Sequence, residues 1–442
     1  MIFTLIGIII IIYSFKNFKR AFLWLLVYKL LLVTNITVIA LPGIPLLKWD
    51  MFLIAIFFLQ FWRQRKVLAV ESEPFPYERP FKFLVVSWFL STIFAYIGFL
   101  GAVSQFIKNV FEQLVIVWMM WKLIDVRKDL PFIIKWFSVA FLFISLYGCY
   151  EYKLQANPLV EYEATLIKEE DRAVVFTYDA ERGRGYRVQS VFEHAIGAGI
   201  NWSMFLVFIL SLVVVYRYKL KNKYFVWTST LLAVPCVFFA NSRAPILFLM
   251  LAIWAVISFK NKRTFQLLVV GMVGFVIVLP YLADYAANVL SIFDSKAQDE
   301  VGGSNAEMRF NQLAAAIALL EQSPFVGFGF KFLNGMNNSL TAALLGMESM
   351  WFGILTQFGL LGVAANLFYA YYALWKVPHH YKSKPVFFFS LAYWVVGSLT
   401  SVPGMLIYMY YLFIIIFIKL SPQYDKRIAH GNERQTNGKK RF

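Results

Sequence analysis

Apolar runs recur from Met1 to Leu420, many of them long enough to span a hydrocarbon core of about 30 Å. With 60% hydrophobic and only 15% charged residues over 442 positions, the chain cannot cover itself as an ordinary soluble domain must. Inside a bilayer backbone polar groups have to be satisfied within the protein, and apolar runs of this length do so as helices. The chain therefore reads as all-α, a polytopic helical membrane protein with about 12–13 transmembrane helices. The expected spans are 2–15, 21–43, 49–62, 83–104, 109–125, 131–149, 191–216, 224–240, 244–259, 264–284, 346–375, 385–400 and 402–419. The first lacks a charged region ahead of it and a small-residue cleavage site, so it reads as a retained span.

Charge sets the topology. The net +17 gathers at alternate junctions: Lys16, Lys19, Arg20; Arg63, Arg65, Lys66, Arg79, Lys82; Lys122, Arg127, Lys128. Further clusters are Arg217, Lys219, Lys221, Lys223; Lys260, Lys262, Arg263; Lys376, Lys382, Lys384; and the tail from Lys419 to Arg441. The positive-inside rule places them all in the cytoplasm, which explains the charge without any nucleic acid. Three elements are then external: a loop at 150–190, the tight turn Asn241-Ser242-Arg243-Ala244-Pro245, and a loop at 285–345. The expected division is 1–190 for the N-terminal spans with the first external loop, 191–420 for a catalytic core, and 421–442 for a basic cytoplasmic tail.

Two cysteines, Cys149 and Cys236, give no disulfide framework and no metal-ligand spacing, and His379-His380 on a basic loop is no better. No cofactor and no metal site is expected. The external basic residues are more informative, because they run against the positive-inside bias. They are Lys168, Arg172, Arg182, Arg184 and Arg187, then Arg243, then Lys296, Arg309 and Lys331. Arg182 and Arg184 have acidic neighbours in Glu169, Glu170, Asp171 and Asp179 and read as solvated loop charges. Arg187, Arg309 and above all Arg243 lack that explanation, and the guanidinium fork matches phosphate geometry.

Glu348 lies at the outer end of a strongly apolar segment. A carboxylate facing lipid near the bilayer centre costs roughly 2.5–3.5 kcal/mol, so it should face protein or water. Ahead of it, Ser304-Asn305-Ala306-Glu307 fits a capping box, with a helix expected to Gln322 and a stop at Pro324. Glu307, Asn311 and Glu321 mark its polar face, Met308, Leu313, Ile317 and Leu320 its apolar one, as for an external amphipathic helix on the outer membrane surface. Arg309 falls in its first turn. Gly327-Phe328-Gly329 would be a return toward the membrane and is too short for a phosphate loop. His194 reads as a structural residue before a catalyst, and Glu112 as a satisfied intramembrane group.

The order of these pieces resembles the O-antigen ligase and polymerase superfamily of bacterial surface-polysaccharide synthesis. Arg187-Val188-Gln189-Ser190-Val191-Phe192-Glu193-His194, with Gly197, is similar to that superfamily's Arg…Phe-x-His-Pro-Asn…Gly approach to a span. Asn241-Ser242-Arg243-Ala244 is similar to its Ser-Arg-Gly turn. Arg309 followed by Pro324, Gly327 and Gly329 matches its Arg…Pro-x-x-Gly-x-Gly arrangement. Glu348-Ser349 ahead of Gly359-Leu360-Leu361-Gly362 stands where ligases carry His-Asn before Gly-Leu-Leu-Gly. The chain departs from the pattern at Ala195-Ile196, in place of Pro-Asn, and at Glu348, in place of the ligase histidine.

The resemblance implies a GT-C-like membrane glycosyltransferase of the bacterial inner membrane, acting on its periplasmic face on undecaprenyl-diphosphate-linked oligosaccharides. It implies inversion without a metal, and a flippase and a chain-length regulator as partners. Glu348 would be the base, with Arg243 and Arg309 stabilising the departing diphosphate. Arg187, Glu193, His194, Ser349, Gly327 and Gly329 would bind substrate. An acid in place of the ligase histidine favours the repeat-unit polymerases. The alternative is a ligase that transfers the glycan to a distinct acceptor such as lipid A-core. Transport is a third reading; the chain lacks the internal repeat that transporters usually show.

Overall fold

The computed structural model describes residues 2–32, 37–39, 47–68, 73–165, 186–257, 306–336, 339–402 and 404–424. Its helices are α1 (Ile2–Lys16), α2 (Phe18–Leu31), α3 (Trp49–Leu68), α4 (Glu78–Ile93), α5 (Phe99–Leu123) and α6 (Val126–Leu154). Then come α7 (Pro158–Thr165), α8 (Ala195–Val214), α9 (Lys223–Phe239), α10 (Arg243–Ala255) and α11 (Ala306–Gln322). The short α12 (Phe332–Gly335) and α13 (Ser339–Ala343) lead to α14 (Met350–Tyr381), α15 (Lys384–Leu399) and α16 (Ile407–Lys419). A two-stranded antiparallel ribbon, β1 (Thr37–Ile39) with β2 (Leu47–Lys48), follows α2. Among the described residues the protein is an all-α membrane protein apart from that ribbon. Among the described residues four helices, α5, α6, α8 and α14, are long and apolar enough to cross a membrane by length and composition. Five shorter apolar helices accompany them, while the expected span 264–284 lies outside the described residues.

Boundaries differ from the expected ones where local backbone intervenes. The apolar run read as a span over 83–104 breaks in two: α4 ends at Ile93, the chain reverses through Tyr96-Ile97, and Gly98 at φ +81° starts α5. Hydropathy alone does not register that reversal, because Tyr96, Ile97 and Phe99 keep the segment apolar throughout. α5 runs on to Leu123 through a stretch of π-helix at Val110–Val115, so the span expected at 109–125 starts ten residues earlier. The span expected over 21–43 is helical only to Leu31 and gives way to the ribbon.

The two most enclosed helices, α8 and α16, are apolar on every side, as central bundle helices are. Stacked rings lock them: Phe208 on Phe413 at 3.9 Å between centroids, Phe141 on Phe205 at 4.2 Å. One cluster of buried residues runs from Ile10 to Tyr424.

The bundle has two chemically different ends. At one, Lys419 Nζ donates to the carbonyls of Trp121 and Ile124, both at 2.8 Å, and Trp121 Nε1 donates to the Glu73 carbonyl at 3.0 Å. The Tyr216 and Ser383 hydroxyls meet at 3.0 Å, and Tyr216 also donates to the Phe417 carbonyl. These contacts gather the basic junctions around Lys122, Arg217, Lys382 and Lys419 at that end. The other end holds helix starts. α10 runs antiparallel to α15: Lys384 Nζ donates to the Ile257 carbonyl, and Phe248 meets Phe389 at 6.0 Å. Arg243 therefore lies toward the Leu399 end of α15. The start of α14 reaches the same end, since Trp351 Nε1 donates to Ser398 Oγ at 2.8 Å. α8 joins them through Ser203 Oγ, which donates to the Pro245 carbonyl at 3.1 Å. Three helix N-termini on one end give a positive local potential suited to anions.

Candidate active site

The frame of the site is a backbone crossing. α14 kinks at Gly359, whose φ of 60° and ψ of −158° interrupt the helical ladder. The freed groups are taken by the segment after α11. Leu360 N–H donates to the Pro324 carbonyl at 2.8 Å and Leu361 N–H to the Phe325 carbonyl at 3.1 Å. In the other direction Phe328 N–H donates to the Thr356 carbonyl and Gly329 N–H to the Gln357 carbonyl, each at 2.9 Å. The approach is so close that a Cβ on Gly327 would stand 2.5 Å from the Gln357 carbonyl carbon. One on Gly359 would stand 2.6 Å from that of Phe325. The two glycine-bearing motifs of the sequence are thus the two halves of one joint. The amides of Gly327 and Gly329 already donate to carbonyls of the chain, so these glycines act through backbone shape.

That joint presses α11 onto α14. Gln312, Ala315, Ala316 and Leu319 face inward, against Phe332, Met336 and Leu344. Leu313 and Ile317, from the expected apolar face, point outward beside Phe310. The capping-box residues Ser304 and Asn305 lie outside the described residues. In the first turn of α11, Arg309 Nη2 lies 3.7 Å from Glu348 Oε2, with both side chains partly open to solvent. One turn on, Gln312 is wholly buried, and its Oε1 accepts the Glu348 backbone N–H at 3.0 Å. Ser349 caps α14, its Oγ accepting the Trp351 N–H at 3.2 Å. Gln312 belongs to no motif in the sequence, although its spacing of three from Arg309 puts it on the same helix face.

A second group forms around the 240–243 turn. Arg187 is buried, its Nε donating to the Ala240 carbonyl at 3.5 Å, while Val188 N–H donates to the Phe239 carbonyl at 3.0 Å. Glu151, wholly buried, holds the strap: it accepts the N–H groups of Gln189 at 3.1 Å and Ser190 at 2.7 Å, and the Tyr186 hydroxyl at 3.1 Å. Burial, and then the Glu151 carboxylate, push the Tyr186 hydroxyl well up, so it keeps its proton and donates. Arg243, half-buried, is the first residue of α10. Below the turn, Cys149 Sγ and Cys236 Sγ are 4.0 Å apart, a contact invisible in their spacing of 87 residues. His194 is the N-cap of α8, its Nδ1 accepting the Ile196 N–H at 3.1 Å, and Glu193 beside it is exposed. The structure thus pairs Arg309 directly with Glu348 and sets Arg187 on the Arg243 turn. Lys168, Arg172, Arg182, Arg184 and Lys296 lie outside the described residues.

Residues 228–367 match the family model described as O-antigen ligase. The match supports the O-antigen ligase/polymerase superfamily. No curated protein sequence matches the chain. The matched region contains Arg243, Arg309, Gly327, Gly329, Glu348 and Ser349, and so both halves of the backbone joint; Arg187, Glu193 and His194 precede it. The match in turn supports a ligase- or polymerase-type glycosyltransferase function in a membrane, on lipid-linked glycans.

Proposed function

We propose that this chain is a repeat-unit polymerase, a membrane glycosyltransferase that joins undecaprenyl-diphosphate-linked oligosaccharides into a longer polysaccharide. The observation that carries the reading is the Arg309–Glu348 pair, a cation and a carboxylate within 3.7 Å of each other inside the family-matched region. In the transfer, the acceptor hydroxyl oxygen bonds to the anomeric carbon of the donor as the bond from that carbon to the diphosphate breaks. The electron pair of the broken bond leaves with the diphosphate, and the hydroxyl proton passes to Glu348. A sugar hydroxyl ionises far above neutral pH and needs such a positioned base. The charge growing on the leaving oxygen needs preorganised cations. Arg309 and Arg243 supply them, and Arg187, fixed on the Arg243 turn, steers the diphosphate. Attack from the face opposite the leaving group inverts the anomeric centre.

The remaining site residues support this centre. Gly327 and Gly329 close the joint that presents α11, Ser349 and His194 hold helix starts, and Glu193 is open to sugar hydroxyls. Metal independence, the GT-C-like architecture and a periplasmic site in the inner membrane belong to the same reading. The description of the matched family favours a second reading, transfer of the glycan to a distinct acceptor, with the same residues at work. The test of the centre is Glu348→Gln, which keeps shape and removes the base. Turnover should fall about 10²–10⁴-fold with donor binding retained. Near-normal turnover would make the carboxylate structural.

A further inference from the structure

Two residues with separate duties in the proposed reaction are paired with each other. Arg309, the diphosphate clamp, and Glu348, the base, form an ion pair, so neither is idle before the donor arrives. A guanidinium held by a carboxylate is not fully available to a phosphate, and a carboxylate oxygen held by a guanidinium is less available to a hydroxyl proton. Resting on that functional reading, we infer that the donor diphosphate and Glu348 compete for Arg309. Donor binding moves the guanidinium from carboxylate to phosphate and so frees Glu348 for the acceptor hydroxyl.

The geometry suits such an exchange. The separation of 3.7 Å is long for an ion pair, and 40% and 27% of the two side chains are exposed, so the contact is loose and reachable. A diphosphate offers more charge than a carboxylate and several oxygens to the planar fork. Glu348 stays in place when Arg309 leaves, because its backbone is anchored separately. Its N–H is held by the buried Gln312 Oε1, and the next residue, Ser349, caps α14. Arg309 and Gln312 share one face of α11, so the helix holds the backbone of the base with one side chain while the other changes partner. The exchange moves a side chain and leaves the backbone joint intact. It also imposes an order, with the base at full strength only after donor is bound.

The experiment is a double-mutant cycle on binding. The probe is undecaprenyl diphosphate, the leaving group of the reaction, which cannot itself transfer a sugar. Its dissociation constant is measured on purified full-length protein for wild type, Glu348→Gln, Arg309→Ala and the double variant. Removing the competing carboxylate should tighten binding about 2–5-fold, the range open to a partly exposed pair. In the Arg309→Ala background, which binds more weakly, the same change should bring no gain. A gain that persists without Arg309 is simple charge repulsion and overturns the exchange, as does equal or weaker binding in Glu348→Gln. Glu348→Ala serves as a second variant if the glutamine form does not insert. The two readings fail separately. An inactive Glu348→Gln that binds no tighter defeats the exchange and spares the proposed base, whereas an active Glu348→Gln defeats the base itself.

Discussion

At the scale of single residues, the proposed centre rests on charges whose form matters as much as their sign. Arg243→Ala and Arg309→Ala should each abolish or nearly abolish transfer while the protein still inserts. Lysine at either position should restore little, since a point charge does not reproduce a bidentate fork. Activity of purified protein in a transfer assay checks both, and full activity in Arg243→Ala would remove its clamp role. The sequence made part of this legible. Arg243 and Arg309 stood out because external arginines oppose the positive-inside bias, and Glu348 because of the price of a carboxylate in an apolar segment. Glu151 and Gln312 were not legible. Each acts by filling a hydrogen-bond need of a distant backbone segment, Ser190 in one case and Glu348 in the other, and that need exists only once the chain has folded.

At the scale of elements, the joint between the 324–329 segment and α14 explains why glycines stand where they do. Gly359→Ala should destabilise the protein by about 2 kcal/mol or more, because a Cβ is strained at φ 60° and collides with the Phe325 backbone. Thermal unfolding in detergent measures this, and an unchanged midpoint would contradict the crossing. Four motifs in the right order suggest a shared site but give no hint that two of them interlock, since the partners are some thirty residues apart along the chain. α6 and α9 yield a second test. Their thiols, Cys149 and Cys236, are 4.0 Å apart, so an added disulfide donor should oxidise them together. Both should then vanish from alkylation of the denatured protein and return on reduction. Two thiols still alkylated after oxidation would mean that the helices are not in this register. The helix boundaries taught a related lesson. Hydropathy located nearly every apolar helix, yet it missed the reversal at Gly98 because that turn is itself apolar.

At the scale of the whole molecule, the asymmetry of charge and the placement of the site express one orientation. The basic junctions around Lys122, Arg217, Lys382 and Lys419 gather at the end fastened by Lys419, Tyr216 and Ser383, and the starts of α8, α10 and α14 meet at the other. Single cysteines at positions 243, 309 and 348, in a background without Cys149 and Cys236, should react with an impermeant thiol reagent added outside, and one at position 382 should not. Labelling of 382 with 243 protected would reverse the proposed orientation. The account as a whole is tested most directly by giving the purified protein undecaprenyl-diphosphate-linked repeat units and nothing else. Donor and acceptor are then the same kind of molecule. The prediction is a ladder of lengthening lipid-linked chains, formed in the presence of a chelator and lost in Glu348→Gln. Repeat units left unchanged until a different acceptor is added would contradict it.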